Sequence, residues 1–222
     1  MVQHLRFLSF PRILTPGFLG LFLIVAGLAA VLAAGPVAAD HHGADKGKAE
    51  DHRAALAALA DGDHRSEENL ARNQYRNPVD TLLFFTIEPD MTVVEIWPGG
   101  GWYTETLAPF VRAHGQFYAA GPDRDSDVPY MQRLNRVFAE KLVADPDHYD
   151  HVTVTELAPP DKLHIAPEGS ADLVVSFRNL HSWMGRGIAE DVFAAVHRAL
   201  KPGGVFGLVA HRAAEGSEQD PE

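Results

Sequence analysis

The sequence predicts an α/β domain with a mostly parallel sheet and helices on both faces. Two patterns carry that expectation. Between Met91 and Ala210 short β-branched runs alternate with amphipathic stretches of helical length, as in a series of βαβ units. Directly after the first run comes Pro98-Gly99-Gly100-Gly101, a glycine-rich turn between a strand and a helix. The surrounding composition agrees with one globular domain: 222 residues, 46% apolar and 22% charged.

The elements follow in order. Thr92–Trp97 (TVVEIW) is the first strand, and Trp102–Arg112 a helix kinked or ended near Pro109. Gln116–Ala120 is a short strand. Tyr130–Ala144 is a helix with Met131, Leu134, Val137, Phe138 and Leu142 on its buried face. His151–Leu157 and Asp172–Phe177 are strands, the second apolar enough to be central. Ile188–Leu200 is an amphipathic helix with Ile188, Val192, Ala195, Val196 and Leu200 on one stripe, and Val205–Ala210 is the fifth strand. There is no internal repeat. Upstream, residues 53–88 read as a helical lead-in. Leu56 and Leu59 recur at helical spacing, Ser66 opens a second helix, and Asn77-Pro78 ends it before the apolar Thr81–Ile87. The domain proper spans 89–212, and 213–222 is a polar tail.

The first 39 residues belong to a different object. From Ile13 to Ala39 no residue is charged, Arg6 and Arg12 precede the apolar run Gly17–Ala34, and Val37 and Ala39 stand three and one residues before Asp40. This is the pattern of an export signal cleaved before Asp40. The apolar run is also long enough for a retained membrane anchor. Either way the arginines stay inside and the remainder lies in the periplasm or otherwise outside the cytoplasm. Residues 40–52, polar, charged and aperiodic, read as a flexible linker. A chain beginning Asp40-His41-His42 also carries the donors of a square-planar copper site, against the plainer reading of a solvated histidine pair.

Charge and cysteine content exclude several functions. With 30 acidic against 19 basic residues the net charge is −11, unsuited to nucleic acid. No cysteine is present, so disulfides, thiolate nucleophiles and cysteine-ligated metals are ruled out. The folded part has no His-Glu-x-x-His pattern and no metal site is expected in it.

The loops after the strands carry the functional expectation. In a parallel sheet ligands bind at the carboxyl ends of the strands, where strand order reverses. Three glycines after Trp97 allow close approach of backbone N–H groups to a ligand at a helix N-terminus. No lysine follows as in a phosphate-loop ATPase, and position 104 is Thr where a dinucleotide fingerprint needs Gly.

These residues resemble those of the class I S-adenosylmethionine-dependent methyltransferases, and more narrowly the predicted bacterial methyltransferases that carry an export signal. Glu95, Gly99 and Gly101 match the family's first motif, with Trp97 in place of its first glycine. Asp123 stands where the family places an acid after the second strand, with Asp125 as the alternative. Arg178-Asn179-Leu180-His181-Ser182-Trp183 follows the fourth strand, and Leu200-Lys201-Pro202-Gly203-Gly204 precedes the fifth.

The resemblance implies a Rossmann-like methyltransferase fold, here without the C-terminal hairpin of strands six and seven. That loss would leave the fifth strand as an unpaired edge. It implies S-adenosylmethionine as cofactor and transfer of its methyl group to a small-molecule or other acceptor. Glu95, Gly99, Gly100, Gly101, Asp123 and Asn179 would form the cofactor pocket, with Asp123 on the ribose hydroxyls. Glu95 also reads as a carboxylate that orders the loop, and Asp123 as a solvated loop acid. His181 is the candidate base, or a histidine that only hydrogen-bonds its loop. Trp97, Trp102, Tyr103 and Trp183 would wall the pocket, at least two of them being core; His197 and His211 read as structural or surface residues. The competing reading is an exported, methyltransferase-like protein that binds a small ligand without catalysis. Trp97, the short C-terminus and a charged cytoplasmic cofactor favour it.

Overall fold

A computed structural model describes residues 4–6, 41–212 and 216, and the side chains from Gly47 to Arg212. Most of the leader, Asp40 of the copper-binding terminus and most of the tail lie outside the described residues. Among the described residues no helix is long and apolar enough to cross a membrane.

In chain order the strands are β1 (His4–Arg6), β2 (Thr92–Ile96), β3 (Gln116–Gly121), β4 (Thr153–Glu156), β5 (Ala171–Phe177) and β6 (Leu200–Val209). They form one sheet in the order β1-β6-β5-β2-β3-β4. β2 to β6 are mutually parallel and β1 is antiparallel to β6. The five expected strands are thus all present and parallel. The edge of the fifth, expected to be bare, is paired over His4–Arg6 with Gly207–Val209. This contact satisfies part of an edge that would otherwise offer free N–H and C=O groups. Among the described residues no antiparallel hairpin follows β6.

The helices are α1 (His41–Ala60), α2 (Glu67–Leu70), α3 (Asn73–Arg76), α4 (Pro78–Phe84), α5 (Thr104–Val111), α6 (Pro129–Ala144), α7 (Pro146–Tyr149), α8 (Leu180–Gly185) and α9 (Ala189–Ala199). The side-chain alternation of β2 divides the core in two. Val93 packs with Leu56, Leu82, Phe85, Leu107 and Val111 from α1, α4 and α5, whereas Val94 and Ile96 pack with Trp183, Val192 and Val196 from α8 and α9.

Two expectations about elements need correction. Residues 40–52 are not a linker: all but Asp40 lie in α1. Composition does not explain this, since Asp, His and Gly supply eight of the thirteen residues. The far end of the helix is fixed by burial of Leu56 and Ala60, and ion pairs Lys48–Glu88 (2.8 Å) and Arg53–Asp80 (2.7 Å) tie it down. The described side chains of its first half, residues 47–50, are all exposed and show no apolar period. On α6, Met131 and Phe138 are buried as expected, but Val137 is 40% exposed and Leu134 only half-buried. That side of α6 borders cavities instead of core.

The Leu200–Gly204 segment is part of β6 rather than a loop before it. Ala171 pairs with Leu200 and Leu173 with Val205, so Lys201–Gly204 bulge out of the ladder. Gly203 takes φ 87°, and a Cβ on Gly204 would lie 3.0 Å from the Ala171 carbonyl oxygen. Gly207 serves packing: the Phe85 ring lies against it, and an added Cβ would meet that ring at 2.7 Å. Since Phe85 is fully buried, Gly207→Ala is expected to cost about 1–3 kcal/mol by overpacking. Urea unfolding would measure this, and a change below about 0.5 kcal/mol would show that the lead-in yields freely there.

Candidate functional site

From β2 the chain adds β3 and β4 to one side and then returns to add β5 and β6 on the other. Strand order therefore reverses between β2 and β5, and their carboxyl ends diverge around a crevice. A cavity of about 440 Å³ opens there, reached by Glu95, Gly99, Gly100, Asn179 and His181. Five of the seven expected site residues thus meet in one place.

The loop after β2 is shaped by backbone geometry. Gly99 has φ 63° and Gly101 φ 79°. A Cβ on Gly101 would approach Lys141 Cδ to 2.9 Å and the Phe138 ring to 3.2 Å, so this glycine permits close packing of the loop on α6. Beyond Gly99 there is open space, which a side chain would fill. Gly99 and Gly100 face the cavity, while Gly101 is buried behind them. Trp97 itself has φ 48°, and Arg178, at the end of β5, φ 65°. Left-handed backbone at non-glycine residues costs on the order of 1–3 kcal/mol. The glycine that the resembled family places at Trp97 would adopt this conformation without strain.

The Trp97 ring is fixed by three neighbours. Its Nε1 donates to the Leu157 carbonyl (2.9 Å), its edge meets Trp183 (centroids 6.2 Å apart), and the Arg186 guanidinium lies over it at 5.6 Å. The indole borders both the main cavity and a second one of about 300 Å³. Asp123 lies on the second, whereas a third cavity of about 150 Å³ is lined by Gly99 together with Pro122 and Arg124 on either side of that acid.

Asp123 also has a partner of its own. Lys162 Nζ donates to its Oδ1 at 2.5 Å, and the Asp125 amide donates to the same oxygen at 3.0 Å. The lysine bond holds the Asp123 carboxyl below its ordinary range. Lys162 binds Asp125 (2.9 Å) and Glu156 (3.0 Å) as well, and these three acids raise its own pKa. Asp123 is thus a loop acid, 38% exposed, that belongs to a surface ion network. Both bonds fall on Oδ1.

Glu95 is buried beneath the loop, and Thr104 Oγ1 donates to its Oε2 at 2.6 Å. Burial pushes its pKa up to about 7, against the opposing effects of the Thr104 bond and the Arg76 charge. The carboxyl therefore both orders the first turn of α5 and borders the cavity. Asn179 does more bracing than was expected of a cofactor contact. Its Nδ2 donates to Ile96 O (3.1 Å) and Ser176 Oγ (3.0 Å), tying the ends of β2 and β5 together. His181 is exposed at the mouth, edge-on to His211 with centroids 5.9 Å apart. Of the four aromatic residues expected at the pocket, Trp102, Tyr103 and Trp183 are buried and Trp97 is half-buried.

Several cavity residues escaped the sequence. Arg72 and Arg76 come from the lead-in, Arg178 from the end of β5, and His211 from beyond β6. His211, expected as structural or surface, lines the cavity and accepts from Arg178 Nε at 2.8 Å. The Arg178 charge pushes its pKa down. No motif joins these positions; the arginines at 72 and 76, one helical turn apart, were the only local signal. Among the described residues no group of three or more His, Asp or Glu could hold a metal ion.

No family model matches the chain, and no curated protein does. Solved structures do. An S-adenosylmethionine-dependent methyltransferase from Aquifex aeolicus is 17% identical, with a TM-score of 0.51 over 74% of this chain and 77% of that one. The YcgJ protein from Bacillus subtilis is 18% identical, with a TM-score of 0.46 over 64% of this chain and 53% of that one. Precorrin-6Y C5,15-methyltransferase from Geobacter metallireducens is 23% identical, with a TM-score of 0.42 over 60% of this chain and 61% of that one. The fold resembles that of the class I S-adenosylmethionine-dependent methyltransferases, and at these identities the likeness is one of fold.

Proposed function

We propose that the crevice between β2 and β5 binds S-adenosylmethionine and that the chain is a methyltransferase. The observation that carries this reading is the glycine loop. Gly99, in left-handed backbone with open space where a Cβ would stand, lets a ligand lie directly on the main chain at the switch point of the sheet. A bound S-adenosylmethionine supplies a methyl group on a sulfonium, an electrophile that needs only an aligned acceptor. The chain's own work is then to bind and orient. Gly99 and Gly100 would offer backbone contacts, Glu95 would fix the loop from below, and Asp123 would present Oδ2 to hydroxyl groups, its Oδ1 being held by Lys162. His181 stands at the mouth, where it can take a proton from an acceptor. Export of the domain by its leader belongs to the same reading.

A second reading has its own support. Trp97 lines both the crevice and the cavity that holds Asp123, taking up room beside each, and Asp123 already has a cationic partner. Both favour an exported protein that holds a smaller ligand in one cavity without methyl transfer. Calorimetry on the folded chain distinguishes the two. Saturable heat is expected with S-adenosylmethionine and with S-adenosylhomocysteine. Asp123→Ala is expected to weaken both by about tenfold, the loss of hydrogen bonds to a charged acceptor. His181→Ala should leave them unchanged. A folded sample that gives no heat with either compound would overturn the methyltransferase reading in favour of the second.

A further inference from the structure

Beside the crevice lies a hollow of about 370 Å³ that shares Arg72, Arg76, Tyr103, Phe177, Arg178 and His211 with it. Arg212 completes its wall. Four guanidinium groups therefore surround a space within reach of small-molecule size, in a chain of net charge −11. No Asp or Glu lines this hollow. Arg53, Arg65 and Arg112 each meet a carboxylate, but no ion pair to Arg72, Arg76, Arg178 or Arg212 occurs among the described residues. Glu95 lies buried in the adjoining crevice.

Like charges gathered in this way repel, and the fold holds them in place regardless. Arg76 lies over the Trp102 ring at 4.6 Å. Arg178 sits in left-handed backbone and is steered by its bond to His211. The cost is visible in the titration of Arg76, which burial and the neighbouring Arg72 push below its ordinary value. One side of the hollow is flat and unsaturated: Tyr103 and Phe177 stack with centroids 3.5 Å apart and planes within 9°. The Tyr103 hydroxyl donates to the Arg76 carbonyl at 3.1 Å and its buried ring is met by both Phe177 and Trp102, which leaves the half-buried Phe177 as the more open ring of the hollow. Guanidinium groups match oxyanions as planar forks, and a small ring packs on such an aromatic face.

We propose that this hollow is the acceptor subsite and that it takes a small organic oxyanion, a carboxylate or phosphate ester on a compact planar body. Its role as acceptor site rests on the methyltransferase reading; its chemistry does not. Arg72, Arg76 and Arg178 line both the hollow and the crevice, whereas Arg212 lines the hollow alone, so an anion held among the three shared arginines places its body toward the glycine loop.

The test is titration of the full chain with phenyl phosphate and with benzoate, followed by calorimetry or NMR, with benzyl alcohol as the neutral control. Saturable binding of the two anions is expected, weakening as salt is added, with none for the alcohol. The double variant R72Q/R212Q, at positions outside the helices and strands, is expected to lose at least about tenfold in anion affinity while unfolding like the parent. Equal affinity in that variant, or equal binding of the alcohol, overturns the proposal. A chain ending at Arg212 supplies the remaining arm, because the segment beyond carries Glu215, Glu218, Asp220 and Glu222. If only that shortened chain binds the anions, the tail is the occupant and the proposal falls. S-adenosylmethionine is titrated separately. Anion binding without cofactor binding leaves the oxyanion site and removes its acceptor role; cofactor binding without anion binding overturns the subsite alone.

Discussion

Glu105→Ala is expected to destabilise the fold by about 3–5 kcal/mol, because it strands a guanidinium in the interior. Arg65 and Glu105 have side chains 0% and 1% exposed, and Arg65 Nε donates to Glu105 Oε2 at 2.8 Å. Glu105 Oε1 accepts from Asn69 Nδ2 (2.8 Å) and from Lys141. Arg65 also donates to the Ala60 carbonyl, to Asn73 Oδ1 (3.0 Å) and to the Trp102 carbonyl (3.4 Å). The carboxylate thus joins α5, the lead-in and α6, while the guanidinium closes the ends of α1 and α3. Without Glu105 the guanidinium keeps its carbonyl partners and loses its only counter-charge among the described residues. Lys141→Met should cost far less, since that ammonium is 21% exposed and can turn to water. The double variant R65L/E105L should recover much of the loss, as buried pairs replaced by apolar residues often do. Chemical unfolding of the three variants checks the order. A loss below about 1 kcal/mol for Glu105→Ala would mean that the pair contributes no more than a surface one.

This network also touches the hollow through Trp102. Trp102 receives Arg65 on its ring at 4.6 Å and Arg76 also at 4.6 Å. The cation that lines the hollow is therefore positioned by the same indole that packs against the buried pair.

The strands were legible because burial on both faces leaves a plain mark, as in TVVEI of β2 and ADLVVSF of β5. The α9 stripe was legible from its period, since Val192, Ala195, Val196 and Ala199 are all buried. So was the cap at Ser66, whose hydroxyl accepts from the Asn69 amide at 3.2 Å. Placing the glycine loop at the crevice needed only the rule that ligands sit at strand ends, whereas Glu95 was assigned to the pocket through the family resemblance. What the sequence hid was pairing over distance. Arg65 and Glu105 lie 40 residues apart, and Asp123 and Lys162 39 apart; neither pair leaves a local pattern. Four arginines from three segments, the lead-in, the end of β5 and the residues after β6, meet only after folding. Asn179 was read as a ligand contact because a loop position says nothing of which carbonyl lies 3.1 Å away.

Glu95 gives the second large effect, a stability that falls as the pH rises. In the unfolded chain its carboxyl titrates near the ordinary value of 4.5, and in the fold near 7. Between those values the native state holds a proton that the unfolded state releases, so raising the pH through this window favours unfolding. The full difference is on the order of 3 kcal/mol. Stability is retained below about pH 4.5 as far as this group is concerned, and the loss is complete above about pH 7. Glu95→Gln keeps the shape and removes the charge. Its unfolding free energy should lack this slope and exceed that of the parent at pH 8, while the two chains converge near pH 5. Parallel curves for the two chains would show that water reaches the carboxylate and relieves its burial. The groups around Glu95 then give the site a readable charge. Arg76 favours its ionised form and Glu105 opposes it. A cation entering the crevice drives the proton off Glu95, whereas an anion among the arginines draws the Arg76 field away and keeps the proton on. Calorimetric titrations of the parent and of Glu95→Gln at pH 6.5, each in two buffers of different ionisation enthalpy, give the net proton change, and the difference between the two chains isolates the proton on Glu95. Release with S-adenosylmethionine and uptake with phenyl phosphate is the pair of signs expected. The same sign for both would mean that at least one of them binds out of reach of Glu95.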